Sequence, residues 1–363
     1  MNRELDHLVP MDFKNADQVP DTHTWVDSPC INSSSSDESV PLIDLEDLQA
    51  VEKIKMACEN WGVFQVINHG VPVALFAEIE NQARRFFALP REQKLLTLRS
   101  PGSPTGYGII PISRVFNSLM WMEGFTMSGS PVEIIRRVWP QDYSPFCTAI
   151  DNYQEKLMGL AVKITSLIFK SLGLSDEDVE WFNPKSTEAF LHLNSYPKCP
   201  DPTRALGMVA HIDSSLITLL YQSNTDRGLQ VIGPNHNWVD VEPISDAIVV
   251  NVSDLLQITS NGRFKSVTHR AIVSEAHHRI SIPFFFGPKI DVNISSPLKL
   301  INDGDFSMYR PISWKEYREI KGVHFDKALE AVRFNNSVVI EKDNAQTTGN
   351  EASLGDNVEA LKV

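Results

Sequence analysis

The spacing of hydrophobic and polar positions changes near residue 188 and divides the chain into two kinds of structure. Before it, apolar residues recur at the three-to-four-residue spacing of amphipathic helices in LQAVEKIKMACENW, in VPVALFAEIENQARRFFAL and over residues 150–172. The short apolar runs VPLIDLEDL and GVFQVINHG lie among these helices and are typical of strands. The first part of the chain is therefore predicted to be mixed α and β.

Beyond residue 188 the apolar positions alternate with a period of two. Short strands are predicted in AFLHLNSY, SLITLLYQ, GLQVI, AIVVNV, VTHRAIV and RISIPFFF, separated by turns such as NTDRG, GPNHN and SNGR. The segment WKEYREIKGVHFDKALEAV predicts a closing amphipathic helix. Many short strands in succession are typical of a sandwich or jelly roll. We predict a mostly β fold with flanking helices (α+β) around a double-stranded β-helix, or jelly-roll, core.

The same patterns predict how the chain is organised. Both ends are polar and lack an apolar period, which is typical of flexible segments. The predicted parts are a flexible N-terminal segment (1–37), a mixed α/β region (38–150), a helical connection (150–187), the jelly-roll core (188–300), a C-terminal helix (305–335) and a disordered tail (341–363).

Composition fits this plan and narrows the range of functions. With 42% hydrophobic residues in a chain of 363, a substantial core can be buried. The 46 acidic residues outnumber the 33 basic ones, and the formal net charge is −13. No dense Lys/Arg block interrupts this excess of negative charge. A nucleic-acid partner is therefore not expected, since phosphate binding depends on basic patches.

No segment has the pattern of a membrane span or a secretion signal. The most apolar helical segment, LMGLAVKITSLIF, contains Lys163 and is far shorter than the ~20 residues that cross a bilayer. The amino terminus, MNRELDHLVPMDFKNAD, contains no apolar h-region. The cysteines show no C-x-x-C spacing, which favours neither a thiolate metal site nor a disulfide scaffold. We expect no membrane span and a cytoplasmic location.

The segment AHIDSSLITLLYQ, residues 210–222, places two polar side chains at the head of a predicted buried strand. In an extended segment His211 and Asp213 point the same way and can converge on one ligand. Two histidines and one carboxylate form the site of non-haem Fe(II) oxygenases, which leaves positions open for substrate and O₂. His269, in SVTHRAIV, is the best candidate for the second histidine. Taken alone, H-x-D is more often a surface or hydrogen-bonded pair, and His269 would then be a core histidine.

A second pair of polar residues lies in the strand RISIPFFF, where Arg279 and Ser281 share one face. An arginine inside an apolar barrel is costly unless a carboxylate meets its planar guanidinium, and a nearby hydroxyl can share that anion. A diacid cosubstrate would satisfy both groups. Asn194 and Tyr196 share one face of the first core strand, from which the phenol could reach the same anion. Each of these residues, taken alone, is more often a packing residue than a ligand contact.

Taken together in their order along the chain, the polar motifs described above resemble those of the plant iron(II)- and 2-oxoglutarate-dependent dioxygenases. The resemblance rests on H-x-D, on the distant histidine in SNGRFKSVTHR, on the R-x-S after it and on NSYPKCPDP before it. VPLIDLEDL and ENWGVFQVINHGVP are similar to the N-terminal region of that family. The likeness covers residues 38–333, which is nearly the whole chain that is predicted to be ordered.

Within this family the chain is most similar to the gibberellin 3-oxidases. The similar segments are SLMWMEGFTMSGSP, LLYQSNTDRGLQV, SNGRFKSVTHRAIV, FFFGPKIDVNIS and SWKEYREIKGVHFDKAL. Two positions depart from the usual pattern: Ile212 stands where threonine is usual, and Ser253 where glycine is usual. Ile212 leaves the metal ligands intact but puts a bulkier side chain beside the iron. The position of hydroxylation is therefore left open.

The resemblance implies an enzyme that hydroxylates a gibberellin, most simply at the 3β position in gibberellin biosynthesis. It implies Fe(II) as cofactor, 2-oxoglutarate and O₂ as cosubstrates, and ascorbate as a supporting reductant. The implied Fe(II) ligands, which are also the catalytic residues, are His211, Asp213 and His269, and the implied 2-oxoglutarate ligands are Arg279, Ser281 and Tyr196.

Other interpretations stay open at this level. They are 2β or mixed 2β/3β hydroxylation, oxidation of another metabolite such as a flavonoid, and a non-catalytic jelly-roll protein that binds a small acid or a structural metal. His69, in INHG, is interpreted as a structural histidine that caps a turn. The aromatic and methionine residues of WMEGFTM are interpreted as core rather than as the wall of a substrate pocket.

Overall fold

The computed structural model describes residues 9–25, 38–100, 103, 105–109, 116–223, 227–301 and 306–334. The predicted tail, 341–363, lies outside these residues. Part of the predicted flexible N-terminal segment is ordered, because residues 9–25 form the 3₁₀ turns Phe13–Asn15 and Asp21–His23. The Phe13 ring lies 5.0 Å from the ring of Trp121, edge to face. This aromatic contact holds residues 9–25 in place although they have no regular apolar period. The spacing of apolar residues in the sequence therefore could not predict that they are ordered.

The described residues form fourteen strands and eight α-helices. The strands are β1 (Leu42–Asp44), β2 (Val63–Ile67), β3 (Gly106–Gly108), β4 (Glu123–Met127), β5 (Glu188–Tyr196), β6 (Met208–His211), β7 (Ile217–Gln222), β8 (Leu229–Ile232), β9 (Trp238–Asp240), β10 (Ile248–Val252), β11 (His269–Ala271), β12 (Arg279–Gly287), β13 (Asn293–Ile294) and β14 (Ile312–Ser313). The helices are α1 (Ala50–Asn60), α2 (Val73–Phe87), α3 (Arg91–Leu95), α4 (Val132–Ile135), α5 (Ser144–Ser171), α6 (Asp254–Thr259), α7 (Trp314–His324) and α8 (Ala328–Ala331).

Two sheets form the centre of the molecule. The large sheet has the strand order β1-β2-β10-β7-β12-β5-β4-β3, and the small sheet has the order β6-β11-β8-β9. Leu220 and Val249 of the large sheet pack in one apolar cluster with Val231 and Val239 of the small sheet. Their strand neighbours Leu219 and Val250 point to the other face and join the cluster that includes α1, α2 and α5. The large sheet therefore lies between the small sheet and the helices. The predicted fold class is confirmed.

The long helix α5 begins earlier than the sequence pattern indicates. Its apolar period is clear from residue 150, but the helix starts at Ser144 with a proline in its first turn, where no hydrogen-bond donor is required. It ends before Gly173, whose φ of +72° is the left-handed conformation that closes helices. The predicted helical period ends at residue 172, directly before this glycine, which adopts the closing conformation without steric penalty.

His211 and Asp213 do not lie together in one extended segment at the head of a strand, as the sequence predicts. β6 ends at His211 and β7 begins at Ile217, so Asp213 lies in the connection between them. This connection crosses from the small sheet to the large sheet. Ser215 is fully buried in it and bonds the carbonyl of Ile217, which turns the chain without a glycine or proline signal.

The C-terminal segment is also divided. The hydroxyl of Ser313 accepts a hydrogen bond from the Glu316 amide at 3.2 Å and caps the start of α7. The helix stops at Phe325, which has a φ of +45°, and α8 follows after one 3₁₀ turn. The amphipathic period continues through the break, so the sequence predicts one helix where the backbone makes two.

Candidate metal and cosubstrate site

The structure brings the three predicted metal ligands together. His211 and His269 are directly opposite each other on the antiparallel pair β6–β11, and their ring centroids are 4.2 Å apart. Oδ1 of Asp213 lies 3.6 Å from Nε2 of His211 and 3.8 Å from Nε2 of His269. One nitrogen or oxygen atom from each residue lies within 4.8 Å of the others. Two imidazoles and a carboxylate with this spacing can share one divalent ion.

The orientation of both imidazoles is set by the backbone two residues earlier in the chain. Nδ1 of His211 lies 2.8 Å from the carbonyl oxygen of Val209, and Nδ1 of His269 lies 3.2 Å from that of Val267. A carbonyl only accepts hydrogen bonds, so each Nδ1 carries the proton. Each Nε2 therefore presents its lone pair towards Asp213, which is the tautomer that binds a metal ion.

A cluster of buried hydroxyl groups holds the other carboxylate oxygen. Thr218 donates to Oδ2 of Asp213 at 2.7 Å. Ser215 lies 3.2 Å from the Thr218 hydroxyl, and Ser253 lies 3.1 Å from that of Ser215. The three hydroxyl residues are buried almost completely. Because Oδ2 is bound in this way, Oδ1 is the oxygen left to face the two histidines.

The protonation states of His269 and Asp213 suit a site for a cation. Burial and the adjacent His211 lower the pKa of His269 to about 4, so its imidazole is neutral at pH 7. Burial opposes ionisation of Asp213, but the two histidines and the Thr218 hydroxyl outweigh it and hold the pKa of that carboxyl below its usual value. A neutral imidazole and an ionised carboxylate are the forms that bind a metal ion.

The predicted anion site lies on the large sheet. Arg279 is in register with Tyr196, and Ser281 is in register with Asn194, on the neighbouring strands β12 and β5. The Arg279 guanidinium carbon is 5.2 Å from the centre of the Tyr196 ring, and Asn194 donates to the Ser281 hydroxyl at 3.2 Å. Gln222 of β7 accepts from Nη2 of Arg279 at 3.0 Å. The residues that were predicted as 2-oxoglutarate ligands therefore form one buried polar group.

Two glycines leave the space that these side chains occupy. A Cβ atom at Gly228 would lie 2.5 Å from Cδ of Arg279, and a Cβ at Gly207 would lie 2.7 Å from the Tyr196 ring. Real Cβ atoms do not approach other heavy atoms so closely, so only glycine fits at these positions. The glycines thus fix where the guanidinium and the phenol lie.

Both polar groups open into one cavity of about 660 Å³. Its apolar wall includes Ile212, Leu220 and Phe285, and α7 contributes Arg318 and Val323 near the mouth. This is the size range of pockets for small organic ligands. Trp121, Met122, Phe125 and Met127, from the WMEGFTM segment, are buried and are not among the described residues that line the cavity.

His69 has the structural role that the sequence indicates. Its Nδ1 accepts a hydrogen bond from the Val71 amide at 3.1 Å, and its Nε2 lies 2.9 Å from the carbonyl oxygen of Asp246. The imidazole therefore joins the turn after β2 to the segment before β10. Both ring nitrogens are occupied by the backbone, so neither is directed at the cavity.

Two family profiles match the chain. One is described as the 2OG-Fe(II) oxygenase superfamily and matches residues 187–288, and the other is described as the non-haem dioxygenase in morphine synthesis N-terminal and matches residues 40–142. The chain belongs to the 2OG-Fe(II) oxygenase superfamily. This membership confirms the predicted enzyme class, a 2-oxoglutarate-dependent dioxygenase, and the predicted dependence on Fe(II) and 2-oxoglutarate.

Members of the superfamily with assigned activities are similar over almost the full chain. Gibberellin 3-beta-dioxygenase 1 of Arabidopsis thaliana is 42% identical over 339 residues, covering 91% of this chain and 94% of the relative. Gibberellin 3-beta-dioxygenase 1 of Pisum sativum is 41% identical over 340 residues, covering 91% and 90%. A crystal structure of JOX2 in complex with 2OG, Fe and JA superposes with a TM-score of 0.79 at 32% identity, covering 89% of this chain and 96% of that one.

The structure adds residues to the site that sequence reasoning did not find. Thr218 and Gln222 lie in the strand SLITLLYQ, where they read as ordinary members of an alternating strand. Their importance depends on which side chains β10, β12 and the β6–β7 connection bring beside them.

No helix in the described parts of the chain is both long and apolar enough to cross a membrane.

Proposed function

We propose that this dioxygenase hydroxylates a gibberellin at the 3β position. The observation that carries the proposal is the 42% identity to a gibberellin 3-beta-dioxygenase over 91% of the chain. The predicted site supports it, because a pair of oriented histidines, a carboxylate and a buried arginine line one cavity of about 660 Å³. A gibberellin is a rigid, mostly apolar acid, and a cavity with an apolar wall and few polar groups suits such a ligand.

In this proposal Fe(II) is held by His211, Asp213 and His269. The donor set fits the ion, since both Nε2 lone pairs and one carboxylate oxygen are available on the same side. Three protein ligands would leave other coordination positions of the ion open for the cosubstrates. When bound, Fe(II) and 2-oxoglutarate together supply the oxidising chemistry for hydroxylation of a C–H bond. The three residues keep the ion at the floor of the cavity.

Arg279, Ser281 and Tyr196 hold the far carboxylate of 2-oxoglutarate in this proposal. A guanidinium and two hydroxyl groups can together donate to both oxygens of a carboxylate. Their position on the large sheet is rigid, because Arg279 is in register with Tyr196 and bonds Gln222. The apolar wall then excludes water and presents one face of the substrate to the metal, and small displacements there change which carbon is nearest.

The position of hydroxylation is the finer part of the proposal. Ile212 lies between two of the proposed ligands and lines the cavity, so its side chain limits how the substrate approaches. A shifted approach would favour 2β hydroxylation over 3β hydroxylation. Flavonoids and other metabolites are the remaining candidate substrates.

Product analysis of the purified protein tests the proposal. With Fe(II), 2-oxoglutarate and ascorbate, a C-3-unsubstituted gibberellin should yield equal amounts of succinate and a 3β-hydroxylated product. A 2β product would correct the position, and a flavonoid product would correct the substrate.

Arg279→Gln should raise the KM for 2-oxoglutarate by about 10- to 100-fold and change the KM for the gibberellin little. The reverse ranking would contradict the role proposed for Arg279.

We also propose that the domain plan predicted from the sequence applies, apart from the ordered turns within residues 9–25 and the divided C-terminal helix, and that the protein acts in the cytoplasm. Cys58, Cys147 and Cys199 are free and buried, which suits a reducing compartment. Fractionation of cells that express a tagged chain tests the location.

A further inference from the structure

The C-terminal helix α7 contributes one stripe of side chains to the cavity. Arg318, Lys321 and Gly322 line it, and Phe325 lines it from the 3₁₀ turn directly after the helix. Lys321 and Gly322 lie three and four residues after Arg318, which is the spacing that places side chains on one side of a helix. No proposed metal or 2-oxoglutarate ligand lies on this helix. The stripe is therefore available to a different ligand.

The charges around the cavity are unequal. Asp213 is the only acid among the described lining residues, whereas Arg270, Arg279, Arg318 and Lys321 are basic. Most of these cations are already engaged. Arg279 lies in the proposed 2-oxoglutarate site. Lys321 forms an ion pair with the buried Asp254.

Arg270 and Arg318 differ in where they can act. Arg270 follows His269 along β11, so its side chain points to the opposite face of the strand from His269, bonds Gln230 at 2.8 Å and stacks on Trp238. Arg318 forms no hydrogen bond and no ion pair with any described residue. Its guanidinium carbon lies 4.7 Å from the centre of the Phe190 ring, which holds the group at the mouth.

The surroundings of Arg318 are apolar and open. Val323, five residues further along the helix, also lines the cavity although it is 77% exposed, which is unusual for a valine. A Cβ atom at Gly322 would meet no other atom within 4 Å, so the space above this glycine is empty. Glycine inside a helix is destabilising relative to alanine. An open apolar surface beside a cation that has no hydrogen-bond or ion-pair partner among the described residues matches a bulky apolar acid.

We infer that Arg318 binds the carboxylate of the substrate and that Gly322 leaves room for its ring skeleton. The inference rests on the proposed function and names the residues that recognise the acid. The guanidinium and the carboxylate form a charge-assisted, bidentate hydrogen-bonded pair at the cavity mouth. The apolar skeleton extends past Gly322 and Ile212 towards the metal. Arg318 thereby selects acids over neutral analogues and fixes which end of the substrate faces inward.

The test compares a C-3-unsubstituted gibberellin with its methyl ester. The wild-type protein should prefer the acid in kcat/KM, and Arg318→Gln should reduce the acid-to-ester ratio by about 10- to 100-fold, mainly through the KM for the acid. Arg318→Lys keeps the charge and should retain part of the preference. Lys315→Gln is the matched control, because it removes an exposed positive charge from the same helix outside the cavity lining. It should leave the ratio unchanged.

A second substitution tests the space above Gly322. Gly322→Leu should lower kcat/KM for the acid and the ester alike, because a leucine side chain fills the open volume, whereas Gly322→Ala should have a small effect. If the wild-type protein hydroxylates the gibberellin but Arg318→Gln leaves the acid-to-ester ratio unchanged, the role of Arg318 is wrong and the proposed function still stands. Absence of gibberellin turnover in the wild-type protein would overturn the proposed function and this inference together.

Discussion

Thr218 shows how one hydroxyl group can decide the geometry of a carboxylate ligand. Its bond to Oδ2 of Asp213, at 2.7 Å, leaves only Oδ1 facing the histidines. The donor is supported in turn by Ser215 at 3.2 Å. Outer-shell partners of this kind orient metal ligands and tune their basicity.

Replacing Thr218 by valine should weaken metal binding without removing a ligand. Valine has nearly the shape of threonine but cannot donate, so Oδ2 of Asp213 would be buried without its partner. We expect the affinity for Fe(II), or for Co(II) as a spectroscopic substitute, to fall about 10- to 100-fold. Titration of the protein with Co(II), followed by its visible absorption, measures this without turnover. Thr218→Ser should keep most of the affinity, and equal affinities in the two variants would contradict the positioning role.

The sequence predicts the proposed metal ligands but not the residues that support them. His211, Asp213 and His269 stand out because histidine and aspartate are rare in apolar strands. Thr218 gives no such signal, since threonine is a normal strand residue. Its role depends on the sheet contacts of β7, which periodicity does not describe.

At the level of elements, Gly62 joins α1 to β2 and has a φ of +68°. Its amide donates to the carbonyl of Ala57 at 3.0 Å and closes the helix. A Cβ atom here would lie 2.4 Å from the carbonyl oxygen of Lys265, which is backbone and cannot move easily. The turn therefore fixes how close α1 and β2 lie to the segment before β11.

Gly62→Ala and Gly70→Ala should differ in their effect on stability. Both glycines have positive φ, but a Cβ at Gly70 meets nothing within 4 Å. Gly70→Ala should lower the free energy of unfolding by about 1 kcal/mol through backbone strain alone. Gly62→Ala adds a steric clash, and we expect a loss of about 3 kcal/mol or more. Urea unfolding measures both, and equal losses would show that the clash is relieved.

Element boundaries were predicted best where a residue has a fixed conformational preference. Gly173 marked the end of α5 because glycine adopts positive φ readily. Phe325 also adopts positive φ, at +45°, and ended α7 without any warning in the sequence. Its ring is held edge to face against Phe116 at 5.1 Å, so packing imposes the conformation. Local preference cannot reveal a break of that origin.

For the whole molecule, buried histidines make stability depend on pH. Burial, with the nearby Arg99, lowers the pKa of His192 to about 3. Its Nδ1 lies 2.6 Å from the hydroxyl of Thr126, which also accepts from Arg99 and therefore donates to the ring. In the unfolded chain the same imidazole has a pKa near 6.5. The unfolded state therefore binds a proton between these values and the folded state does not.

The resulting stability is present above about pH 6.5 and is lost as the pH falls towards 3. In that range, each unit by which the pH falls should lower the free energy of unfolding by about 1.4 kcal/mol because of this histidine. His192→Gln removes the titrating group, so its stability should decline less steeply than that of the wild type. Urea unfolding at several pH values between 7 and 5 measures both slopes, and parallel curves would contradict the assignment.

For the whole molecule, the sequence was most informative about the fold class and least informative about the order of the strands in the sheets. The alternating strands after residue 188 indicated a jelly roll, and the resemblance of its polar motifs to a known family indicated which chemistry it supports. The strand order was not accessible, because pairs such as β6–β11 join residues distant along the chain. The proposed ligands His211 and His269 are adjacent only through that pairing.

The separation of α7 from the two sheets has an evolutionary consequence. The sheets and the β6–β7 connection carry the residues proposed for oxidation, whereas the helix carries those proposed to select the acid. Mutations in the helix can therefore alter which molecule is accepted while the oxidative apparatus is inherited unchanged. Gene duplication followed by drift in this one segment would be enough to produce paralogues with new substrates from the same catalytic ancestor.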